Sequence, residues 1–402
     1  MNIIIVGAGH AAGQLVASLR LEGFEGSIRV IGDEPYPPYQ RPPLSKQYLS
    51  GEMELEQVYF KPLEFYETAK AELSLGVRVE CIDRAAKTIE LSDGTTASYD
   101  KLVLTTGTRV RTLPLPGADL EGVHYLRTID DTDAIGGNIH AGTRVVICGG
   151  GYIGLEVAAA ATKKGANVTV LEMADRVMNR VVAPEVSAYY EALHAGKGVD
   201  IRCNVKVSGF EGTEKVERVT CDGGESFDAD LVVVGVGVIP NTELAETAGL
   251  ACDNGILVDE CARTEDPDIL AAGDCTNHPN GIYGINIRLE SVQNAVDQAA
   301  AVANAICGNP TPYAAVPWFW SDQYDVKLQI VGLSQGYDRA VMRGNPDDDS
   351  FSVFYLKDGK LLAVDAINSP REYMMGRRLI AAGASPDPEK IKNTDVSVKE
   401  LV

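Results

Sequence analysis

The sequence predicts an α/β protein that contains two parallel-sheet domains of one type and a third domain of α+β type. Three observations support this prediction. A strand, a glycine-rich turn, a helix, a second strand and an acidic residue follow one another at 3–34 and again at 144–172. After each copy come an Asp-Gly turn and an apolar strand that ends in glycine. Residues 350–368 then have the alternating pattern of an antiparallel hairpin, which indicates a different domain.

The overall composition is that of a globular protein with more than one domain. The chain has 402 residues, of which 45% are hydrophobic and 23% charged. A net charge of −21 argues against a general nucleic-acid-binding protein, which needs a basic face for the phosphates. No apolar run reaches the roughly 18–20 residues that span a bilayer, and the start MNIIIVGAG lacks the features of a signal peptide. We therefore expect a cytoplasmic protein that neither enters a membrane nor binds nucleic acid.

The eight cysteines do not have the spacing of a metal site. No two of them form a C-x-x-C pair, and none lies before Cys81. Zinc and iron–sulfur sites need clustered thiolates. We therefore expect no bound metal and mostly reduced, buried thiols.

The first glycine-rich turn has the pattern of a dinucleotide site. Gly7, Gly9 and Ala12 occupy its three key positions, and Asp33 follows the next strand. Glycine lets the backbone approach a pyrophosphate, whose negative charge is stabilised by a helix N-terminus. A single turn of this kind is weak evidence, but two copies with the same downstream acid indicate two Rossmann-type dinucleotide-binding domains.

The second turn differs in a way that indicates a different nucleotide. Its glycines are Gly149, Gly151 and Gly154, and its acid is Glu172. A carboxylate in this place accepts hydrogen bonds from the adenosine ribose and repels a 2′-phosphate, which favours NADH over NADPH. Arg176 and Arg180 are near enough in sequence to weaken that preference.

The sequence resembles the FAD-dependent NAD(P)H–ferredoxin reductases of bacterial oxygenase systems over nearly its whole length. The resemblance is carried by RPPLSK (41–46), GGGYIGLEVA (149–158), AAGDC (271–275), RLESVQNA (288–295), PWFWSDQY (317–324) and FSVFYL (351–356). It implies a fold of glutathione reductase type. The implied domains are an FAD-binding domain at 1–110 and 241–316, an NAD-binding domain at 111–240 and a C-terminal α+β domain at 317–402.

The resemblance also implies which residues contact each cofactor. The FAD set consists of Gly7, Gly9, Ala11, Ala12, Asp33, Lys46, Val79, Thr106, Gly107, Arg127, Gly273, Asp274, Val292 and Trp320. The NADH set consists of Gly149, Gly151, Tyr152, Ile153, Gly154, Glu172 and Gly237.

Asp274 and Val292 also have physical reasons to contact a flavin. A carboxylate at a strand end can accept a hydrogen bond from a ribityl hydroxyl, although a loop aspartate can instead cap the following turn. Val292 lies in the first turn of a helix predicted over 289–306, whose N-terminus would stabilise an anionic reduced flavin.

Lys46 and Glu156 are the catalytic residues that the resemblance implies, near flavin N5 and the nicotinamide. A buried lysine needs a counter-charge, and Glu156 would supply it. The alternative is that Lys46 is a solvated residue and Glu156 an acid on a helix surface. Of the two tryptophans, Trp318 and Trp320, core packing suits one, whereas the resemblance places Trp320 beside the flavin.

The resulting hypothesis is an enzyme that moves electrons from NADH through FAD to a separate [2Fe–2S] ferredoxin, which supplies a cytochrome P450 or a ring-hydroxylating oxygenase. Such ferredoxins are usually acidic, so docking needs a local basic region. The candidates for it are Arg288, Arg371, Arg377, Arg378 and Lys390.

Three rival functions share this fold. A disulfide reductase or NADH peroxidase needs a redox cysteine in the early helices, where the sequence has none. An NADH-responsive binding module resembling apoptosis-inducing factor and an NADH oxidase stay open as alternatives.

Overall fold

A computed structural model of the chain describes residues 1–401. These residues divide into two compact units, each assembled from three separate segments. Unit 1 comprises Met1–Gln40, Leu55–Arg109 and Val238–Pro317. Unit 2 comprises Arg41–Glu54, Val110–Gly237 and the chain from Trp318 onward. Within 1–401, no helix is both long and apolar enough to cross a membrane.

Unit 1 is built around a five-stranded parallel sheet. Across the sheet the strands are Ile269–Ala271, Lys101–Leu104, Asn2–Val6, Ser27–Gly32 and Ala71–Leu75. The central strands carry unbroken apolar runs because helices and loops cover both faces of such a sheet. Helix His10–Leu21 follows the central strand and packs against helix Val292–Ile306. Its residues Ala11, Ala12, Leu15 and Leu19 join the core of the unit.

The other elements of unit 1 are short. One three-stranded antiparallel sheet contains Val79–Asp83, Thr88–Leu91 and Thr96–Ser98. A second sheet contains Ile256–Leu257, Thr276–Asn280 and Ile285–Ile287. The remaining strands and helices are Thr108–Val110, Val238–Pro240, Leu55–Val58, Leu63–Thr68 and Glu243–Thr247.

Unit 2 contains a second five-stranded parallel sheet. Its strands, in spatial order, are Asp200–Arg202, Asn167–Leu171, Arg144–Cys148, Leu231–Val234 and Val123–Tyr125. Its helices are Ile129–Gly137, Tyr152–Lys163 and Pro184–Gly196, and segment 41–54 adds Pro42–Ser45 and Gln47–Ser50. A three-stranded sheet of Val207–Glu211, Arg218–Cys221 and Ser226–Asp228 interrupts the main sheet in sequence.

The two parallel sheets repeat one another down to single hydrogen bonds. Gly7 N donates to Ile31 O at 2.7 Å in the first, and Gly149 N donates to Leu171 O at 2.8 Å in the second. The edge strand at the corresponding position is Ile269–Ala271 in unit 1 and Val123–Tyr125 in unit 2, and it comes from a different end of each sequence. In unit 1 this strand comes last, and in unit 2 it comes first. The predicted pair of Rossmann-type domains is therefore confirmed.

The C-terminal part of unit 2 is an antiparallel sheet covered by a helix. Across this sheet the strands are Trp318–Gln323, Val326–Gly332, Lys360–Ile367, Ser350–Lys357 and Arg339–Asn345. The predicted hairpin at 350–368 is present, with Asp358 and Gly359 as its turn. Helix Pro370–Ala381 packs on the sheet at Gly376, where a Cβ would lie 2.7 Å from the Val364 side chain.

The tail of the chain is fastened to this sheet by one buried cation. Arg343 is 7% exposed, and its guanidinium donates to the carbonyl oxygens of Ile391, Asn393 and Val396 at 2.7–3.1 Å. Buried charges need such partners. The short helices that accompany the sheet are Pro346–Asp348, Pro388–Lys392 and Val398–Glu400.

Candidate functional site

The first glycine turn leaves the start of helix His10–Leu21 without a side-chain cap. Gly7 has φ +101°, and a Cβ there would lie 2.3 Å from Thr105 O, so the position requires glycine. Next to Gly9, the N-cap, a Cβ would meet nothing within 4 Å, and no side chain hydrogen-bonds to the helix start. The first helical N–H groups are therefore left for a ligand, as a pyrophosphate requires.

Several predicted FAD residues come together around this turn in unit 1. Ala11 and Ala12 are buried on the helix, and a Cβ on Gly273 would lie 3.3 Å from the Ala11 side chain. Gly273 N donates to Gln298 Oε1 at 2.8 Å, which fixes the turn that carries Asp274. The long helix, through Gln298, thus orients the Gly273-Asp274 turn beside the first helix.

Thr106 and Gly107 follow the neighbouring strand of the same sheet. Thr106 Oγ1 donates to Asn241 O at 2.7 Å, and the Asn241 side chain donates back to Thr106 O at 2.8 Å. Gly107 has φ +62°. These bonds hold the backbone after the strand in one conformation.

The remaining FAD residues of unit 1 lie at element ends. Asp33 follows strand Ser27–Gly32, is 59% exposed and lies 3.7 Å from Arg78. Val79 is buried at the start of its strand. The long helix begins at Val292 rather than 289, because Ser291 caps it by accepting from Asn294 N.

The second glycine turn repeats this construction in unit 2. Gly149 has φ +116°, and a Cβ there would lie 2.4 Å from Gly235 O. On Gly154 a Cβ would lie 2.1 Å from Gly149 O, so glycine is required where the helix meets the turn. Gly151, the N-cap, again has open space and no side-chain cap.

The acid of this second turn is held by backbone donors. Glu172 Oε2 accepts from Gly150 N at 2.7 Å, and Oε1 accepts from Ala174 N at 2.8 Å. Arg176 donates to Val182 O, Asn179 O and the Ser187 hydroxyl at 2.6–2.9 Å. Because these bonds occupy the Arg176 guanidinium, it is not available to bind a 2′-phosphate. Of the two arginines expected to weaken the NADH preference, only Arg180 is then left.

The other predicted NADH residues surround the same turn. Tyr152 is the first residue of its helix, and its ring lies 5.0 Å from that of Phe319. Burial raises the pKa of Tyr152 well above its usual value. Ile153 is 45% exposed, and Gly237 has φ +105° with no atom near a would-be Cβ. An exposed apolar side chain and an open glycine are features of a surface that can receive a nucleotide.

Lys46 and Glu156 form a buried ion pair within unit 2. Lys46 Nζ lies 2.7 Å from Glu156 Oε2, and the side chains are 10% and 1% exposed. Two hydroxyl groups complete the shell of the carboxylate. Ser45 donates to Oε2 at 2.5 Å, and Ser321 donates to Oε1 at 2.6 Å. The alternative of a solvated lysine and a surface acid is therefore wrong.

Sequence reasoning missed the two serines. Ser45 lies inside RPPLSK and Ser321 inside PWFWSDQY, so the motifs that carry the resemblance already contained both residues. Only the fold shows that they meet at one carboxylate, because they lie 111 and 165 residues from Glu156.

Arg127 and Trp320, the other FAD residues of unit 2, are held by their own surroundings. Arg127 N donates to Asp131 Oδ2 at 2.9 Å, and its carbonyl accepts from Arg41 at 2.5 Å. Trp320 is half-buried, with its ring 5.7 Å from that of Trp318.

Cys148 and Cys203 have the properties of structural thiols, whereas Cys81 is exposed. All eight cysteines are free, and burial raises the pKa of Cys148 to about 12 and that of Cys203 to about 11. Neither thiol is an activated nucleophile. In residues 1–401 no cluster of three or more metal-ligating side chains occurs.

Comparison with known proteins places the chain in a family. Residues 1–299 match the family described as pyridine nucleotide-disulphide oxidoreductase, and residues 318–402 match the reductase C-terminal domain. Rhodocoxin reductase of Rhodococcus erythropolis is 45% identical, with 99% of this chain and 94% of that protein aligned. Putidaredoxin reductase of Pseudomonas putida is 44% identical, with 100% and 96% aligned.

A solved structure gives the same result. The crystal structure of the covalent putidaredoxin reductase–putidaredoxin complex superimposes with a TM-score of 0.97 at 44% identity, covering 100% of this chain and 97% of that one. The chain therefore belongs to the pyridine nucleotide-disulphide oxidoreductase family and, within it, to the ferredoxin reductases similar to putidaredoxin reductase and rhodocoxin reductase.

Proposed function

We propose that the protein is an NADH-dependent ferredoxin reductase that holds FAD at the first glycine turn and binds NADH at the second. Its electron acceptor is a [2Fe–2S] ferredoxin that supplies a cytochrome P450 or a ring-hydroxylating oxygenase. The observation that carries the proposal is the uncapped, glycine-lined helix start that occurs in both parallel sheets. The chain that contains it is similar over its full length to ferredoxin reductases.

FAD and NAD(P)H, the cofactors of this family, fit the residues of the two turns. When bound, FAD would supply the chemistry that this transfer needs, a hydride acceptor that is also a one-electron donor. The chain contributes binding and orientation. Backbone N–H groups after Gly9 and Gly151 hold the pyrophosphates. Lys46 and Glu156 act as the catalytic pair, in which Glu156 fixes the position of the Lys46 ammonium group.

NADH rather than NADPH is the proposed donor. Glu172 keeps its negative charge oriented by two backbone N–H groups, and a 2′-phosphate beside it would be repelled. Arg176 is occupied by its own loop, so it offers no compensation.

The domain assignment is part of the same proposal. The FAD-binding domain covers 1–110 and 241–316, the NAD-binding domain 111–240, and the C-terminal domain 317–402. The cytoplasm, where NADH is regenerated, is the proposed compartment.

The docking surface for the ferredoxin is proposed on helix Pro370–Ala381. Arg371, Arg377 and Arg378 are exposed on it, and Met374 between them is 50% exposed. The helix's acid, Glu372, is turned toward Arg343 at 3.4 Å, so the exposed side carries positive charge only. A basic face around an apolar side chain suits an acidic partner.

The two further candidates differ from these arginines and from each other. Lys390 is exposed on the neighbouring helix Pro388–Lys392. Arg288 is only 13% exposed and is paired with Glu290 at 2.6 Å. We therefore propose that the three helix arginines contribute most to ferredoxin binding, Lys390 less and Arg288 least.

One experiment separates this function from its rivals. The visible spectrum of the purified protein is recorded, NADH or NADPH is added without oxygen, and an oxidised [2Fe–2S] ferredoxin follows. We expect a flavin spectrum that NADH bleaches and that two equivalents of ferredoxin, each accepting one electron, restore. A colourless protein would end the flavin proposal. Slow reoxidation by ferredoxin would favour the binding module. In a second sample, reduced with NADH and then exposed to air without ferredoxin, fast reoxidation would favour the NADH oxidase.

A further inference from the structure

A continuous row of hydrogen bonds leads away from Glu156 inside unit 2. Ser321 Oγ donates to Glu156 Oε1 at 2.6 Å, and Gln323 Nε2 donates to Ser321 Oγ at 3.2 Å. Gln323 Oε1 lies 2.8 Å from His194 Nε2, and Tyr324 Oη lies 3.1 Å from His194 Nδ1. All but Tyr324 are at most 2% exposed. The row therefore connects the catalytic carboxylate to a half-buried tyrosine without passing through solvent.

The chemistry of the groups fixes the direction of every bond in the row. The single hydroxyl proton of Ser321 goes to the carboxylate, so its oxygen can only accept from Gln323. Gln323 then presents its NH₂ group to Ser321 and its carbonyl oxygen to His194. His194 must therefore carry its proton on Nε2, which leaves Nδ1 to accept from the Tyr324 hydroxyl.

Two elements supply the side chains between Glu156 and Tyr324. Ser321 and Gln323 are alternate residues of strand Trp318–Gln323 and point to the same face of the sheet. His194 is in the last turn of helix Pro184–Gly196. Fixing one row therefore takes residues from both the dinucleotide-binding part and the C-terminal part of unit 2.

The last residue of the row has a strained backbone. Tyr324 has φ +55°, in the left-handed region, within the two-residue turn between strands Trp318–Gln323 and Val326–Gly332. Glycine or asparagine adopts this conformation more easily than tyrosine. The ring of this tyrosine lies 5.0 Å from that of His194, tilted by 60° to it. Strain in a turn residue that contacts a buried network is a feature of functional sites.

We propose that Ser321, Gln323 and His194 are positioning residues that hold the Glu156 carboxylate in the orientation in which it pairs with Lys46. The inference rests on the proposed role of Glu156. His194 stays neutral in this arrangement, since burial lowers its pKa. The row orients the carboxylate from the side opposite Lys46, because Ser321 binds Oε1 while the lysine binds Oε2.

The first test measures the tautomer of His194 directly and does not depend on activity. The protein is labelled with ¹⁵N-histidine, which adds signals from only five residues, and His194 is assigned with His194→Gln. We expect a neutral ring protonated on Nε2 from pH 6 to 8, and a mixture of tautomers in Gln323→Leu. A ring protonated on Nδ1, or one that titrates as an ordinary surface histidine, would overturn the inference.

The second test measures flavin reduction by NADH in single-turnover mixing. In His194→Leu and Gln323→Leu the limiting rate constant is expected to fall roughly tenfold, since a misplaced catalytic group costs at least that much. In His194→Gln, whose side chain can still donate to Gln323, most of the rate is expected to return. In the Glu156→Gln background, His194→Leu should cause no further loss. Gln323→Leu decides the question alone if His194→Leu does not fold.

The outcomes separate the inference from the proposed function. Slow reduction in Glu156→Gln with normal reduction in both His194→Leu and Gln323→Leu would overturn the inference and leave the proposed role of Glu156 intact. Normal reduction in Glu156→Gln would overturn that role and, with it, the inference. Equal losses in His194→Leu and His194→Gln would show a structural effect and also overturn the inference.

Discussion

Lys46 Nζ and Glu156 Oε2 lie 2.7 Å apart in an ion pair that is almost fully buried within unit 2. Removing one partner leaves the other charge buried and unpaired, which costs about 3–5 kcal/mol. We therefore expect Glu156→Ala to slow flavin reduction by NADH and to lower the free energy of unfolding by that amount. Rapid mixing and urea unfolding measure the two effects. An unchanged reduction rate would show that the pair has no catalytic role.

The control is the exposed pair of Arg144 and Asp230, whose side chains are both 45% exposed. Asp230→Ala should cost only about 0–1 kcal/mol, because solvent screens such pairs. Replacing both buried partners, in Lys46→Met/Glu156→Leu, should recover much of the stability but not the reduction rate.

Glu172 is expected to set the choice of nucleotide. Glu172→Ala removes the charge that repels a 2′-phosphate, so kcat/KM for NADPH should rise roughly tenfold while kcat/KM for NADH falls. Asp175→Ala, an exposed acid in the same loop, is the matched control and should change neither value. If Glu172→Ala preferred NADH over NADPH as strongly as the unmodified protein does, the preference would depend on other residues.

Gly154 is expected to tolerate no side chain. A Cβ would lie 2.1 Å from Gly149 O, so Gly154→Ala must displace the helix from the turn and should abolish flavin reduction by NADH. Gly196→Ala is the control, since a Cβ there meets no atom within 4 Å. That change should leave reduction intact and stabilise the helix end by up to about 1 kcal/mol. Titration calorimetry measures NADH binding by both variants. Normal binding of NADH by Gly154→Ala would contradict this expectation.

Asp365 is expected to make stability depend on pH. It is 0% exposed, accepts from Tyr355 Oη at 2.5 Å, and burial raises its pKa from 3.8 to about 7. The folded state then holds a proton that the unfolded state has lost, so stability falls as pH rises from about 4 to about 7. Over these three pH units the loss amounts to about 4 kcal/mol, at about 1.4 kcal/mol per pKa unit.

Asp365→Asn should remove that loss. The amide is close in size to the carboxyl group and does not ionise. Between pH 5 and pH 8 the unfolding free energy of the variant should therefore fall less than that of the unmodified protein. Asp358→Asn, at an exposed turn, is the control. Parallel pH profiles of Asp365→Asn and the parent, measured by urea unfolding, would contradict the prediction.

The arginines of helix Pro370–Ala381 are expected to bind the ferredoxin. Arg371→Gln/Arg377→Gln/Arg378→Gln should raise the KM for ferredoxin severalfold at low salt, with the difference shrinking as salt screens the charges. Flavin reduction by NADH should not change. Lys360→Gln, another exposed cation of the C-terminal sheet, is the control. A salt-independent effect, or one matched by the control, would place docking elsewhere.

The duplication could be predicted from the sequence because it depends on local patterns. Glycines that need a positive φ, such as Gly7 and Gly149, leave a signature at fixed distances from the strands around them. The hairpin of 350–368 was equally local, since Asp358-Gly359 is a strong turn signal.

The surroundings of Glu156 could not be predicted in this way. Its hydrogen-bond partners come from segments 111 and 165 residues away, and no periodicity links them. The start of the helix at Val292 depended on the cap by Ser291, which competes with the apolar pattern that begins at Leu289. The segregation of 41–54 into unit 2 is likewise invisible to local patterns, since it depends on tertiary contacts.

The interleaving of the two units has a consequence for synthesis on the ribosome. The parallel sheet of unit 2 can form once residue 234 has emerged. The parallel sheet of unit 1 also needs Ile269–Ala271, and its helix His10–Leu21 is covered only by helix Val292–Ile306. At about 5–20 residues per second, the apolar face of that first helix stays uncovered for tens of seconds. The parallel sheet whose first strand is translated first is thus completed after the parallel sheet of unit 2, and during this interval the uncovered helix is a site at which the nascent chain can aggregate.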